Sequence, residues 1–168
     1  LRGFETAAPV YSAAFAGSKY LLYIARATAQ MQDIASGSML PAVFHEEFIG
    51  STDYSTMLDL LATGAAGTYE DTYSGLVTLW EPKTGQARSV FRSDDRVSSA
   101  LSFSPNGRLL AGTAGEDILV WDLEGRSLAA SFHGHTESVA ELAFSPDGRS
   151  LASAGYVDGK VRLWRVLP

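Results

Sequence analysis

One short pattern is written four times along this 168-residue chain, at intervals of about 42 residues. The clearest copy runs Val139-Ala140-Glu141-Leu142-Ala143-Phe144, then Ser145-Pro146-Asp147-Gly148-Arg149, then Ser150-Leu151-Ala152-Ser153, and closes on Asp158-Gly159-Lys160-Val161-Arg162-Leu163-Trp164. The copy before it reads Val97 to Phe103, Ser104-Pro105-Asn106-Gly107-Arg108, Leu109-Leu110-Ala111 and Ile118-Leu119-Val120-Trp121-Asp122. A unit of this size cannot bury an apolar face by itself. Such a repeat therefore folds only as an array whose members cover one another.

Two further copies are worn. Leu60-Leu61-Ala62-Thr63-Gly64 followed by Leu76-Val77-Thr78-Leu79-Trp80-Glu81 keeps the second half of the pattern, and Val10 to Phe15, Leu21-Leu22-Tyr23-Ile24 and Met31-Gln32-Asp33 keep it with Gln32 in place of Trp. The anchors Gln32, Trp80, Trp121 and Trp164 stand 48, 41 and 43 residues apart, and an insertion in the second copy accounts for the longest interval. Every copy is made of apolar runs of five to seven residues, rich in Val, Leu, Ile and Phe and divided by Pro-Asn-Gly, Pro-Asp-Gly or Thr-Gly; this is how short antiparallel strands read. Asn106-Gly107 and Asp147-Gly148 predict tight turns through residues that tolerate positive φ. No stretch has a 3.6-residue apolar period long enough for a helix. The period and the Trp-Asp ending predict an all-β chain of β-propeller blades, four-stranded antiparallel sheets with boundaries near 1–44, 45–92, 93–134 and 135–168.

On these residues the chain resembles the WD-repeat (WD40) family over essentially its full length, the first two copies being degenerate. The fourth copy carries the most specific set: Gly134-His135, Phe144-Ser145-Pro146-Asp147-Gly148, Ser153, Asp158-Gly159 and Trp164. The resemblance implies a buried hydrogen-bonded network of His135, Ser153, Asp158 and Trp164. Ser153 and Asp158 are one residue further apart than the family spacing, so an imperfect network is expected. In the second copy His45, Thr63 and Trp80 match, with Ser74 where Asp is expected. The third has Ser93 in place of His and keeps mainly Trp121-Asp122. The family's network is structural, so these losses imply weaker blades and not lost catalysis.

Length poses the question of closure. Propellers close with 4 to 8 blades, and 168 residues supply four. Only Val166-Leu167-Pro168 follow Trp164, so the fourth blade is expected to stop at three strands. In the family the missing outer strand comes from the other end of the ring, and Leu1-Arg2-Gly3 would suit the tail of one. Three arrangements cover the open faces: a segment of a longer propeller, two copies joined in a homodimer that completes the ring, or four blades closed on themselves.

Catalytic constellations are absent from the sequence. There is no Gly-x-Ser-x-Gly elbow, phosphate-cradling loop before a helix, or run of calcium-spaced acids. His133-Gly134-His135 with Glu137 offers two imidazoles and a carboxylate, but packing already accounts for His135. Gly112-Thr113-Ala114-Gly115 reads as a strand turn in which glycine's positive φ suffices. With no cysteine, neither a disulfide framework nor a thiolate metal site exists, and no apolar run approaches the roughly 20 residues of a spanning helix. The expectation is a non-enzyme without cofactor or metal, not inserted in a membrane, and cytoplasmic.

Placed on the repeat, the charges segregate. Most of the net charge of −6 sits in the links before each first strand and between each second and third strand, which hold Glu46, Glu47, Glu70, Asp71, Asp94, Asp95, Glu116, Asp117, Glu137 and Asp158 against Arg26, Arg92, Arg96 and Lys160. The opposite end mixes Lys19, Lys83, Arg88, Arg108, Arg126, Arg149 and Arg165 with acids. An acidic end steers a basic protein partner and disfavours nucleic acid, which needs a basic stripe; the plain alternative is a set of solvated loop charges. The second copy also has about six extra residues around Tyr69-Glu70-Asp71-Thr72-Tyr73, either a tolerated insertion or a contact loop, since Tyr buries area while keeping a polar tip. Tyr69, Glu70, Asp71 and Tyr73 head the candidate partner contacts, followed by Asp94, Asp95, Glu116, Glu137, Tyr156 and Val157. The chain thus reads as a protein-interaction scaffold docking on its acidic loop end. The alternatives are a structural subunit embedded in a larger complex through its open blade edges and, less favoured, a metal-dependent propeller enzyme.

Overall fold

The computed structural model describes residues 9–46, 48–69, 72–93 and 97–166. Sequence neighbours pair with one another throughout, in four antiparallel sheets. The first contains β1 (Ser12–Ala16), β2 (Tyr20–Ala25), β3 (Thr28–Asp33) and β4 (Val43–Phe44). The second contains β5 (Ile49–Ser55), β6 (Leu60–Tyr69), β7 (Thr72–Glu81) and β8 (Gln86–Ser93). The third contains β9 (Val97–Phe103), β10 (Leu109–Ala114), β11 (Asp117–Asp122) and β12 (Ser127–Phe132). The fourth contains β13 (Val139–Phe144), β14 (Ser150–Gly155) and β15 (Val161–Arg165). Four strands per blade therefore hold for three sheets, and the fourth has three strands among the described residues.

Alternation builds these sheets: in β2, Tyr20, Leu22 and Ile24 are buried while Leu21 and Tyr23 point the other way. In the turns after β9 and β13 only glycine takes the left-handed conformation, at Gly107 (φ +70°) and Gly148 (φ +71°). Asn106 and Asp147 act through their side chains instead. The Asn106 Oδ1 accepts from Arg108 N and Ser104 Oγ, and the Asp147 Oδ1 accepts from Arg149 N and Ser145 Oγ.

Each sheet then packs face to face with the next. Tyr20, Leu22, Met31 and Val43 meet Ile49 and Leu61. Ala62, Val77, Leu79 and Phe91 meet Leu101, Phe103, Leu110 and Trp121. Ala111, Ile118 and Val120 meet Val139, Leu142 and Leu151. Burying one Leu or Ile of this kind contributes about 1.5–3 kcal/mol, so these three cores hold the arc together. Near the inner edge two side chains tie blades directly: Asp53 Oδ2 accepts from Phe103 N at 2.7 Å, and Ser102 Oγ accepts from Phe144 N at 3.4 Å. Among the described residues no fourth core joins the last blade to the first; Phe15 is 76% exposed, Val161 76% and Leu163 78%. The arrangement is one of four propeller blades in sequence.

Candidate functional site

Antiparallel order brings the second-to-third-strand turn of each blade and the link to the next blade to one end. Backbone hydrogen bonds join them there: Ile49 N to Arg26 O, Val139 N to Gly115 O and Tyr156 N to Ser138 O. This is the end that sequence reasoning marks as acidic.

At this end blade 4 assembles its four network residues. His135 Nδ1 lies 2.7 Å from Asp158 Oδ2, His135 Nε2 2.8 Å from Ser153 Oγ, and Trp164 Nε1 donates to Ser153 Oγ at 2.8 Å. A neutral imidazole satisfies all three bonds: Nδ1–H donates to Asp158, Nε2 accepts the Ser153 O–H, and the Ser153 oxygen is left to accept from Trp164. The expected imperfection is not found. The extra residue is taken up in a turn closed by Gly155 N donating to Lys160 O, and Asp158 folds back so closely that a Cβ on Gly155 would sit 1.9 Å from its Oδ1. The backbone N–H of Lys160, then the bond from His135, hold the Asp158 carboxyl below its ordinary value against the opposing effect of burial.

The other blades carry less of this network. In blade 2, His45 Nε2 lies 2.5 Å from Thr63 Oγ1, which also accepts from Trp80 Nε1 at 2.8 Å. Burial pushes the His45 imidazole below its ordinary value. The side chains of Ser74 and Ser93 lie outside the described residues. In blade 3 the hydroxyl position is held by Gly112, which is in β10 and not in a turn, so the positive-φ reading applies to Gly115 (φ +61°) alone. Gly112 serves close approach instead: a Cβ there would stand 2.9 Å from Trp121 Cζ3 and 3.0 Å from Leu101 Cδ2. Trp121 packs across it and against Phe91, ring centroids 5.8 Å apart. In blade 1, Gln32 donates to the carbonyl of Gly37.

The insertion in blade 2 is not a loose loop. β6 and β7 are ten residues each, and their pairing continues through Ala66↔Gly75, Gly67↔Ser74, Thr68↔Tyr73 and Tyr69↔Thr72. The pairing of β5 reaches only as far as Ala65 of β6 and that of β8 only as far as Gly75 of β7, so the last pairs form a two-stranded ribbon projecting beyond the sheet. Glu70, Asp71, Asp94 and Asp95 lie outside the described residues, as do Glu47, Leu1-Arg2-Gly3 and the side chains of Tyr69 and Tyr73. Of the remaining contact candidates, Glu116 and Glu137 are exposed, and Tyr156 (80%) and Val157 (67%) are exposed at the same end. Neither glutamate has an ion-pair partner among the described residues.

The opposite end holds two ion pairs among the described residues. Lys83 Nζ bonds Asp59 at 2.8 Å and Arg108 Nε bonds Asp122 at 3.2 Å. Lys83 and the Tyr54 hydroxyl hold the Asp59 carboxyl below its ordinary value, and the Gly125 N–H does the same for Asp122. A cavity of about 420 Å³ opens there between blades 3 and 4, floored by Val120 and Phe132 and edged by Arg149 and Arg165. The imidazoles of the His133-Gly134-His135 motif do not converge. His133 Nδ1 faces Asp117 at 2.7 Å and its Nε2 faces Ser131, whereas both nitrogens of His135 are used inside blade 4. Among the described residues no group of three His, Asp or Glu side chains is arranged to hold a metal ion. Among the described residues no helix is long and apolar enough to cross a membrane.

Sequence reasoning missed Asp53. Its signal was a carboxylate in the middle of a strand, with one oxygen taking Phe103 N and the other Tyr54 N. Burial pushes this carboxyl above its ordinary value, and the two N–H bonds oppose that shift.

Residues 85–122 and 126–165 each match the family model of the WD domain, G-beta repeat. Each match takes the outer strand of one blade with the first three strands of the next. These two matches, within a four-blade β-propeller arrangement, identify WD repeats in this chain; WD-repeat propellers are typically non-catalytic scaffolds for protein interaction.

Proposed function

We propose that this chain is a protein-interaction scaffold that docks a basic partner on its acidic loop end. The observation that carries this reading is the pair Glu116 and Glu137, which stand exposed at the loop end and form no ion pair with the exposed Arg26 and Lys160 or with any other described residue, while Lys83–Asp59 and Arg108–Asp122 pair at the opposite end. Unpaired like charges attract an opposite partner and speed its approach, whereas paired charges largely cancel. The β6–β7 ribbon adds a protruding element, and the exposed Tyr156 and Val157 add apolar area. Titration with a lysine-rich 20-residue peptide at low salt, followed by amide NMR, tests the proposal. Shifts are expected at Glu116, Glu137, Tyr156 and Val157, and the double variant Glu116→Lys/Glu137→Lys should weaken binding by about tenfold, an effect that fades at high salt. Shifts gathered at the opposite end contradict it.

A second reading, a subunit held in a larger assembly through its end blades, draws on the exposed Phe15, Val161 and Leu163. Insolubility of the isolated chain would favour it over the first.

A further inference from the structure

The cavity between blades 3 and 4 owes its space to two glycines inside the chain. Register sets the turns after β5, β9 and β13 in step: Ser55 pairs with Leu60, Ser104 N bonds Leu109 O and Ser145 N bonds Ser150 O. Leu58 of blade 2 therefore stands where blade 3 has Gly107 and blade 4 has Gly148. Between blades 2 and 3, Leu58 packs on the core, and a Cβ on Gly107 would come within 2.8 Å of its Cγ. Between blades 3 and 4 the same place sets Gly107 against Gly148, and the nearest atom a Cβ on Gly148 would meet is Pro105 Cδ, at 3.7 Å. The side chain that fills one contact is missing from the next, and about 420 Å³ opens there. Its floor is apolar, with Leu109, Val120, Ala130 and Phe132, and the Phe132 ring is held by stacking on Trp164 with centroids 5.2 Å apart. Its rim sets Arg108, Arg149 and Arg165 against Asp122 and Asp147. Arg108 pairs with Asp122, and Asp147 accepts from Ser145 Oγ and Arg149 N. Asp147 feels the Arg149 charge without forming an ion pair with it, and neither Arg149 nor Arg165 has an ion-pair partner among the described residues. Val166 N donates to Arg149 O at 3.0 Å, which holds the two arginine-bearing segments side by side.

We infer that this cavity takes the C-terminal residue of a protein partner ending in an aromatic side chain, the ring entering over Phe132 and the terminal carboxylate meeting Arg149 and Arg165. Size sets how much can enter: the volume lies toward the lower end of the roughly 300–1,000 Å³ that ligand pockets span, room for one ring-bearing residue. The apolar floor selects the ring, which gains an aromatic contact beyond the area it buries. Guanidinium groups select a carboxylate through paired N–H donors. With two carboxylates already in the rim, the surplus of one positive charge suits a monoanion better than a phosphate carrying nearly two negative charges. Among unmodified protein residues, only one at a C-terminus carries an aromatic ring and a carboxylate together. This site is at the end opposite the acidic loops, and the inference does not rest on docking there.

Two N-acetylated peptides of sequence Gly-Ser-Gly-Ser-Gly-Trp, one ending in a free carboxylate and one amidated, test it by titration into the full chain followed by amide NMR. The free-carboxylate peptide is expected to shift Ala129, Ala130, Phe132, Arg149 and Val166, and amidation to weaken binding about tenfold or more. Arg149→Ala should weaken the free-carboxylate peptide by about five- to tenfold and leave the amidated one unchanged. Ala129→Leu, which adds a side chain at the lining, should abolish binding of both. Arg149 and Ala129 are exposed, so the circular dichroism of the folded chain should not change, and Arg88→Ala, an exposed arginine away from the cavity, should behave as wild type. Equal affinity for the two peptides, shifts gathered elsewhere, no binding at millimolar peptide, or binding indifferent to Ala129→Leu overturns the inference. N-acetyl-tryptophan binding as tightly as the peptide would assign the cavity to a small carboxylic acid and overturn the partner named here. Glu116→Lys/Glu137→Lys should leave this binding intact, so failure of one proposal is separable from failure of the other.

Discussion

Ser153 is where blade 4 is most exposed to a single-atom change. Its hydroxyl is 2% exposed and serves two partners, giving its proton to His135 Nε2 and accepting from Trp164 Nε1, each at 2.8 Å. Ser153→Ala removes one oxygen and leaves an imidazole nitrogen and an indole N–H without a partner. Each orphaned group costs about 1–2 kcal/mol when water cannot replace the lost bond. His135 is 4% exposed and pays close to the full penalty, while the half-buried Trp164 recovers part of its own. The expected loss is therefore about 2–3 kcal/mol, and with a urea slope of about 2 kcal/mol per molar the midpoint should fall by roughly 1–1.5 M. Tryptophan fluorescence follows the transition, and Ser131→Ala, on an exposed hydroxyl, serves as control with a change below about 0.5 kcal/mol. A Ser153→Ala midpoint within error of that control would refute the view that this hydroxyl bridges two buried groups.

Three further outcomes follow from the same geometry. Gly112→Ala should lower stability by about 1–3 kcal/mol in thermal unfolding, because the added methyl meets the packed Trp121 ring at 2.9 Å; an unchanged midpoint would contradict the close approach. Asp53 has a folded-state pKa above its unfolded value of 3.8, so its contribution is fully present below pH 3.8 and is lost as pH rises through the raised value. Wild type should thus lose stability relative to Asp53→Asn over that rise, and urea midpoints that run parallel from pH 3.5 to 7 would argue against burial of this carboxyl. Replacing residues 67–74 by Asn-Gly should shorten the β6–β7 ribbon and change stability by less than about 1 kcal/mol, since those residues pair only with one another; loss of the folded circular dichroism would overturn this.

What the sequence made legible divides along the range of the interaction responsible. Trp80, Trp121 and Trp164 and the Pro-Asn-Gly and Pro-Asp-Gly turns act within one repeat, and four copies of the pattern placed the strands around them. The register of Phe144, Leu151 and Trp164 was likewise visible as a repeated motif. Gly112 was misread because its reason lies in the Trp121 ring, which crosses from the next strand, and not in its own φ. Asp53 was missed because its partner, Phe103 N, is 50 residues away in another blade. The insertion around Tyr69 was seen, but its extended pairing was not, since Thr and Tyr suit a ribbon and a loop tip alike. Of the candidate contacts, sequence placed Glu116, Glu137, Tyr156 and Val157 at one end through strand order alone, and antiparallel pairing gives them that end.

The central claim is that one apolar face is covered between neighbouring blades and bare at the end of the array. The chain contains no cysteine, so a single introduced thiol reports its own surroundings without competition. Ile118→Cys and Val161→Cys occupy equivalent register positions, one 0% and the other 76% exposed. Thiol labelling at the lowest workable protein concentration should modify Val161→Cys at nearly the rate of a free thiol, and Ile118→Cys at least about a thousandfold more slowly, because reaching it requires a core to open. Equal labelling rates at the two positions would contradict the blade-on-blade arrangement.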